Sequence, residues 1–109
     1  LWGSGTPRRE FLYADDCADA CVFLLEHYSE GMHINVGSGT DVTIVELAEK
    51  IRDAVGFEGG LEFDTSRPDG TMRKLMDNQR LLGLGWSPSV SLDSGIQQTY
   101  DWFLKHGSA

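Results

Sequence analysis

The sequence is poor in cations, cysteine and proline, and it has no long apolar run. Lys and Arg number 9 against 17 Asp and Glu in 109 residues, a formal charge of −8. So acidic a chain cannot build the broad counterion-releasing surface that general binding to nucleic acid or an anionic membrane requires. No apolar stretch approaches the ~20 residues that span a bilayer. The start at Leu1, without Met or a charged-then-apolar leader, does not read as a secretory signal; it suggests a processed or excised segment and leaves the cytoplasm as the default compartment. Internal repeats and low-complexity tracts are also lacking. The only cysteines, Cys17 and Cys21, lie four apart within an apolar helical pattern, a spacing that suits a disulfide poorly. His27, His33 and His106 form no close-spaced cluster with them, so both read as small core residues and no metal is expected.

What is present suffices for a packed core. Hydrophobic residues make up 40% of the chain, and there are 3 Trp, 3 Tyr and 5 Phe. Residues 1–109 read as one compact domain or as part of a larger one. The opening LWGSGTPRRE has loop chemistry, and Phe11-Leu12-Tyr13 is a short strand candidate. Asp15 or Asp16 can cap a helix from Cys17 to about Tyr28, whose apolar stripe runs through Cys17, Ala20, Cys21, Leu24, Leu25 and Tyr28. His33-Ile34-Asn35-Val36 reads as a buried strand running into the tight turn Gly37-Ser38-Gly39.

The next helix has the clearest ends. Thr43 and Glu46 make a capping box, Gly56 stands at the left-handed terminal position, and Ile44, Leu47, Ala48, Ile51 and Val55 form the stripe expected to be buried. Leu61 to Asp64 alternates as a half-exposed strand, and Lys74-Leu75-Met76 is a second extended segment. Asp77 can cap a short helix through Leu81 and Leu82 that Gly83 and Gly85 end, with Trp86 anchoring the turn that follows. A last helix starts at Ser91, carries Leu92, Ile96, Tyr100 and Phe103 on one face, and stops at Gly107. Few short strands with about four helices, in alternation, indicate an α/β fold.

Five of the nine cations fall in two loops: Arg8 and Arg9, then Arg67, Arg73 and Lys74 around Pro68-Asp69-Gly70. Gly3 and Gly5 allow close approach to a ligand, Arg presents a planar fork to phosphate oxygens and Lys a point charge, a set that suits a diphosphate. Asp69 opposes phosphate but accepts hydrogen bonds from ribose or sugar hydroxyls, which points to a sugar nucleotide. The alternative is that Asp69 merely forms a turn and the cations pair with nearby acids. Trp2 is either a buried plug or a flat wall for a sugar or base, whereas Trp86 and Trp102 read as core or core margin. Asp15-Asp16 reads as a capping pair and not as an acid/base pair, and Gly37-Ser38-Gly39 alone does not establish a dinucleotide site.

The segments LWGSGTPRREFLYADD, INVGSGTDVTIVELAEKI, FDTSRPDGTMRKLMD, LGW and YDWFL, taken in order, resemble the carboxy-terminal part of GDP-L-fucose synthases. These are extended short-chain dehydrogenase/reductases, of the NAD-dependent epimerase/dehydratase superfamily, that epimerise and reduce GDP-4-keto-6-deoxy-D-mannose with NADPH. The resemblance implies substrate contacts at Trp2, Arg9, Asp69 and Lys74, with Arg73 in support. Arg9 and Lys74 would neutralise the GDP diphosphate, Asp69 would accept hydroxyls and Trp2 would line the pocket. Arg8, Met72 and Tyr13-Ala14 depart from the family pattern without removing a contact. The family's catalytic residues and glycine-rich NADP loop belong to an amino-terminal Rossmann region that this chain lacks. The resemblance therefore implies a GDP-sugar-binding portion with no catalytic residues, no cofactor bound by the chain alone and NADP(H) for the full-length family. It also implies an exposed strand edge at Asn35-Val36-Gly37, and with it a possible homodimer. Two other readings stay open: a stand-alone binding or dimerisation module, and a part of another nucleotide-sugar epimerase or dehydratase with a UDP or dTDP ligand.

Overall fold

The computed structural model describes residues 1–107. Its elements are β1 (Arg8–Glu10), α1 (Ala14–His27), β2 (Asp41–Thr43), α2 (Ile44–Val55), β3 (Arg73–Lys74), α3 (Gln79–Gly83) and α4 (Leu92–His106). The described residues thus form an α/β fold of four helices and one small sheet of order β2-β1-β3. Strand β1 is central, antiparallel to β2 with Arg9 opposite Val42, and parallel to β3 with Arg9 opposite Lys74.

Helix α2 forms as its sequence dictates. The Thr43 hydroxyl accepts from the Glu46 amide at 3.1 Å, the Glu46 carboxylate accepts from the Thr43 amide at 3.0 Å, and Gly56 ends the helix at φ 72°. Ser91 caps α4 by accepting from the Ser94 amide at 3.2 Å. Lys50 of α2 reaches across to Asp93 of α4 at 2.7 Å and ties the two helices together. Gly95 is buried, with the Tyr13 ring 3.3 Å from where its Cβ would stand, so a residue costly to helix propensity lets α4 close on the chain before α1.

The core is small. Ala20, Leu81 and Trp86 are buried, and Leu12, Phe23, Leu24, Ile34 and Val36 pack around them. The Trp86 indole nitrogen donates to Asp19 at 2.9 Å, which satisfies its polar edge.

Several expectations are corrected. The strand expected at Phe11 to Tyr13 lies earlier, at Arg8–Glu10, because those residues find ladder partners on both sides. His33 to Val36 is not a strand; no described segment pairs with it. Leu61 to Asp64 contributes only a single bridge, Asp64 to Trp2. Asp15 and Asp16 do not cap α1, whose N-cap is Tyr13 without a side-chain bond. Asp16 instead lies inside the first turn, buried, and accepts from the Ser89 hydroxyl at 2.9 Å and the Val90 amide at 2.9 Å. Burial pushes the Asp16 carboxyl up, but these bonds and one from the Ser89 amide outweigh it and hold the group below its ordinary value.

Cys17 and Cys21 are both free thiols, and both are exposed instead of in the core. Helix α1 buries the face bearing Asp16 and Ala20, which leaves Cys17, Cys21, Val22 and Leu25 outward, with Leu25 85% exposed. No residue of α2 is buried. Its stripe lines, with α4, an apolar cavity of about 1040 Å³ whose walls include Leu47, Ile51, Val55, Ile96 and Phe103. Trp102 is exposed and stacks on His106 at 4.8 Å.

Candidate functional site

The segment 64–72 is stitched to the chain's first residues at successive points. The Gly3 amide donates to the Asp64 carbonyl at 2.9 Å, and the Arg8 amide donates to the Met72 carbonyl at 2.7 Å. Between them, Asp69 accepts from the Ser4 amide at 2.8 Å through one carboxylate oxygen and from the Ser4 hydroxyl at 2.7 Å through the other. Those bonds hold the Asp69 carboxyl below its ordinary value against a smaller upward push from burial. Gly3, at φ 81°, leaves no room for a Cβ, which would stand 2.2 Å from Asp69. Gly5 is likewise buried, against Val45 and Phe63. These glycines let protein approach protein, not a ligand as their sequence setting suggested.

The two cation pairs sort by strand face, because register partners on neighbouring strands point to the same side of a sheet and successive residues to opposite sides. Arg8 and Arg73 are partners on one face, and both reach Asp41, at 3.1 Å and 2.7 Å. The Asp41 side chain is only 5% exposed. Burial pushes its carboxyl up, but the hydrogen bonds and charges of the two guanidinium groups prevail and lower it. Arg73, the supporting candidate, is therefore committed to Asp41.

Arg9 and Lys74 are partners on the opposite face. Among the described residues neither takes part in an ion pair. One Arg9 terminal nitrogen donates to the Arg8 and Thr71 carbonyls, which fixes the guanidinium against the loop. A Cβ on Gly70 would lie 2.9 Å from the other terminal nitrogen, so glycine makes the space for the fork. Trp2 is 73% exposed in this chain, and Arg67 lies over its ring at 4.8 Å. Trp2, Arg9, Asp69 and Lys74 are thus all carried by the stitched loops and the β1–β3 pair. Sequence reasoning did not anticipate the role of Ser4 or the opposition of Arg67 and Trp2; the only signal was a hydroxyl beside two glycines and a cation two residues before Asp69.

The Gly37-Ser38-Gly39 turn is filled from within. The Gly39 amide donates to Glu10 at 2.7 Å, the Met76 amide donates to the other Glu10 oxygen at 3.3 Å, and both Glu10 oxygens lie 2.7 Å from where a Gly37 Cβ would stand. A carboxylate in that position gives the turn a negative charge, which opposes a phosphate there.

Known proteins resemble this chain along nearly its whole length. The model of the NAD dependent epimerase/dehydratase family matches residues 1–37. GDP-L-fucose synthase 1 of Arabidopsis thaliana is 60% identical over 106 residues, 97% of this chain and 33% of the relative. This chain is similar to GDP-L-fucose synthases over nearly its whole length. The Escherichia coli (strain K12) member is 49% identical over 97% of this chain and 36% of its own length. A GDP-L-fucose synthetase structure from Naegleria fowleri, bound to NADP, superposes with a TM-score of 0.93 at 31% identity, covering 98% of this chain and 34% of that one. More distantly, the UDP-glucose 4-epimerase of Thermotoga maritima with UDP-glucose gives 0.88 at 25% identity over 99% of this chain and 35% of that one. The chain spans about a third of the length of these GDP-L-fucose synthase relatives.

Proposed function

We propose that this chain is the sugar-nucleotide-binding portion of a GDP-L-fucose synthase-like epimerase/reductase, taking GDP-4-keto-6-deoxymannose or GDP-fucose and inactive as a reductase by itself. The observation that carries the reading is the pair of register partners Arg9 and Lys74, two cations on one sheet face outside every ion pair among the described residues of an acidic chain. A diphosphate supplies the missing counter-charge, with the Arg9 fork for its oxygens and the Lys74 ammonium as a point charge. Asp69 uses one acceptor site on each oxygen for Ser4, and the carboxylate's remaining lone pairs can accept hydroxyls of ribose or sugar. In this reading the exposed Trp2 ring is a flat surface for the ligand.

In this reading the amino-terminal Rossmann region, with NADP(H) and the catalytic residues, belongs to the longer enzyme. The exposed faces of α1 and of the α2–α4 cavity, together with the unpaired segment at Val36, support it: the relatives are about three times as long and have further polypeptide to cover such faces. Calorimetric titration of the 109-residue chain with GDP-mannose and GDP tests the proposal. Arg9→Ala and Lys74→Ala should each weaken binding about tenfold, the size of one charge-assisted hydrogen bond. Binding identical in wild type and both variants, or NADPH oxidation by the chain alone with the keto-sugar nucleotide, would contradict it. UDP and dTDP arms separate this ligand from those of other nucleotide-sugar epimerases and dehydratases.

A further inference from the structure

Arg67 stands outside the set of residues that the family resemblance assigns, and its surroundings give it a distinct part. Its guanidinium lies 4.8 Å from the Trp2 ring centre, and its Nε is 3.8 Å from the Asp64 carboxylate. Asp64 is itself fixed, accepting from the Ser66 amide at 3.1 Å and from the Ser66 hydroxyl. Asp64 also bridges the backbone of residues 1–3: its amide donates to the Leu1 carbonyl at 2.6 Å and its carbonyl accepts from the Gly3 amide at 2.9 Å. The same residue therefore anchors the Trp2 backbone and the cation that covers the Trp2 ring. The indole is nevertheless 73% exposed.

We infer that Arg67 is a positioning residue: by covering one face of Trp2 and holding the ring upright, it leaves the other face as a stacking platform for a ring of the ligand. A mobile exposed tryptophan would lose side-chain entropy on stacking, and the cation–π contact to Arg67 removes part of that loss beforehand. The guanidinium also polarises the indole. Charge neutralisation is the task of Arg9 and Lys74 on the sheet, so platform and anion site are separable. This inference rests on the proposed sugar-nucleotide ligand, and the ring is either its base or its sugar.

The test compares GDP-mannose, GDP and inorganic pyrophosphate on wild type, Arg67→Ala and Arg67→Lys, by calorimetry and by the indole N–H resonances of the free proteins. Arg67→Ala should weaken GDP-mannose about two- to fivefold, as an exposed cation–π contact implies, with pyrophosphate affinity unchanged and Arg67→Lys recovering most of the loss. An equal loss for GDP identifies the base as the stacked ring; a loss confined to GDP-mannose identifies the sugar. Weakening of pyrophosphate to the same degree would make Arg67 one more charge and overturn the inference, as would unchanged affinity for all three ligands. If wild type binds no nucleotide, the proposed function falls, and the Trp2 indole resonance decides the positioning role: a signal unmoved by Arg67→Ala overturns it.

Discussion

The two faces of the β1–β3 pair carry nearly the same residues and put them to opposite uses. On one, Arg8 and Arg73 converge on the covered carboxylate of Asp41; on the other, Arg9 and Lys74 share no acid. The lesson is that a count of cations says little about anion binding until each has been paired. Two of the sheet's four cations are structural, and alternation along two short strands performs the sorting.

Removing Asp41 is the strongest way to break this contrast. Asp41→Ala leaves two guanidinium groups beside each other with no counter-charge, and should lower the thermal midpoint by several degrees, the largest drop among these variants. Nucleotide affinity should hold at temperatures where the fold persists, since the other face keeps both cations; calorimetry below the midpoint checks this. Acid offers a graded version. The carboxyls of Asp16, Asp41 and Asp69 all lie below their ordinary 3.8 in the folded chain, so their contribution to stability is complete above about that pH and is lost as pH falls through the lowered values. A pH series of denaturant midpoints should show that decline, and Asp41→Asn should make it shallower. The smallest effect sets the scale: Gly56→Ala, at φ 72° with no atom near its added methyl, should cost about 1 kcal/mol in urea unfolding and alter neither face.

Legibility in the sequence followed the range of the interaction. The α2 caps are local, within four residues, and Thr43, Glu46 and Gly56 declared them fully. Ser91 did the same for α4. The clustering of Arg8, Arg9, Arg73 and Lys74 was also visible, but not its division, because strand register depends on a partner more than sixty residues away. Apolar periodicity marked the faces of α1 and α2 correctly as faces, and misled about what covers them. Cys17, Cys21 and Leu25 form an apolar stripe of the sort a core selects, yet no described residue lies over them, and α1 instead buries the carboxylate of Asp16 where Ser89 and Val90 meet it. Burial of a charged group in place of a thiol is invisible to any pattern based on hydropathy. Asp69 was ambiguous for a similar reason. Its turn-forming neighbours were legible, but Ser4 lies 65 residues away in sequence.

The Glu10 side chain inside the Gly37 to Gly39 turn has a practical corollary. The protein carries its own anion there, tethered by the chain, so free phosphate in a buffer or crystallisation drop must compete with a group already in place. Anyone scanning for nucleotide sites by glycine spacing alone would be drawn to a lock that already holds its key.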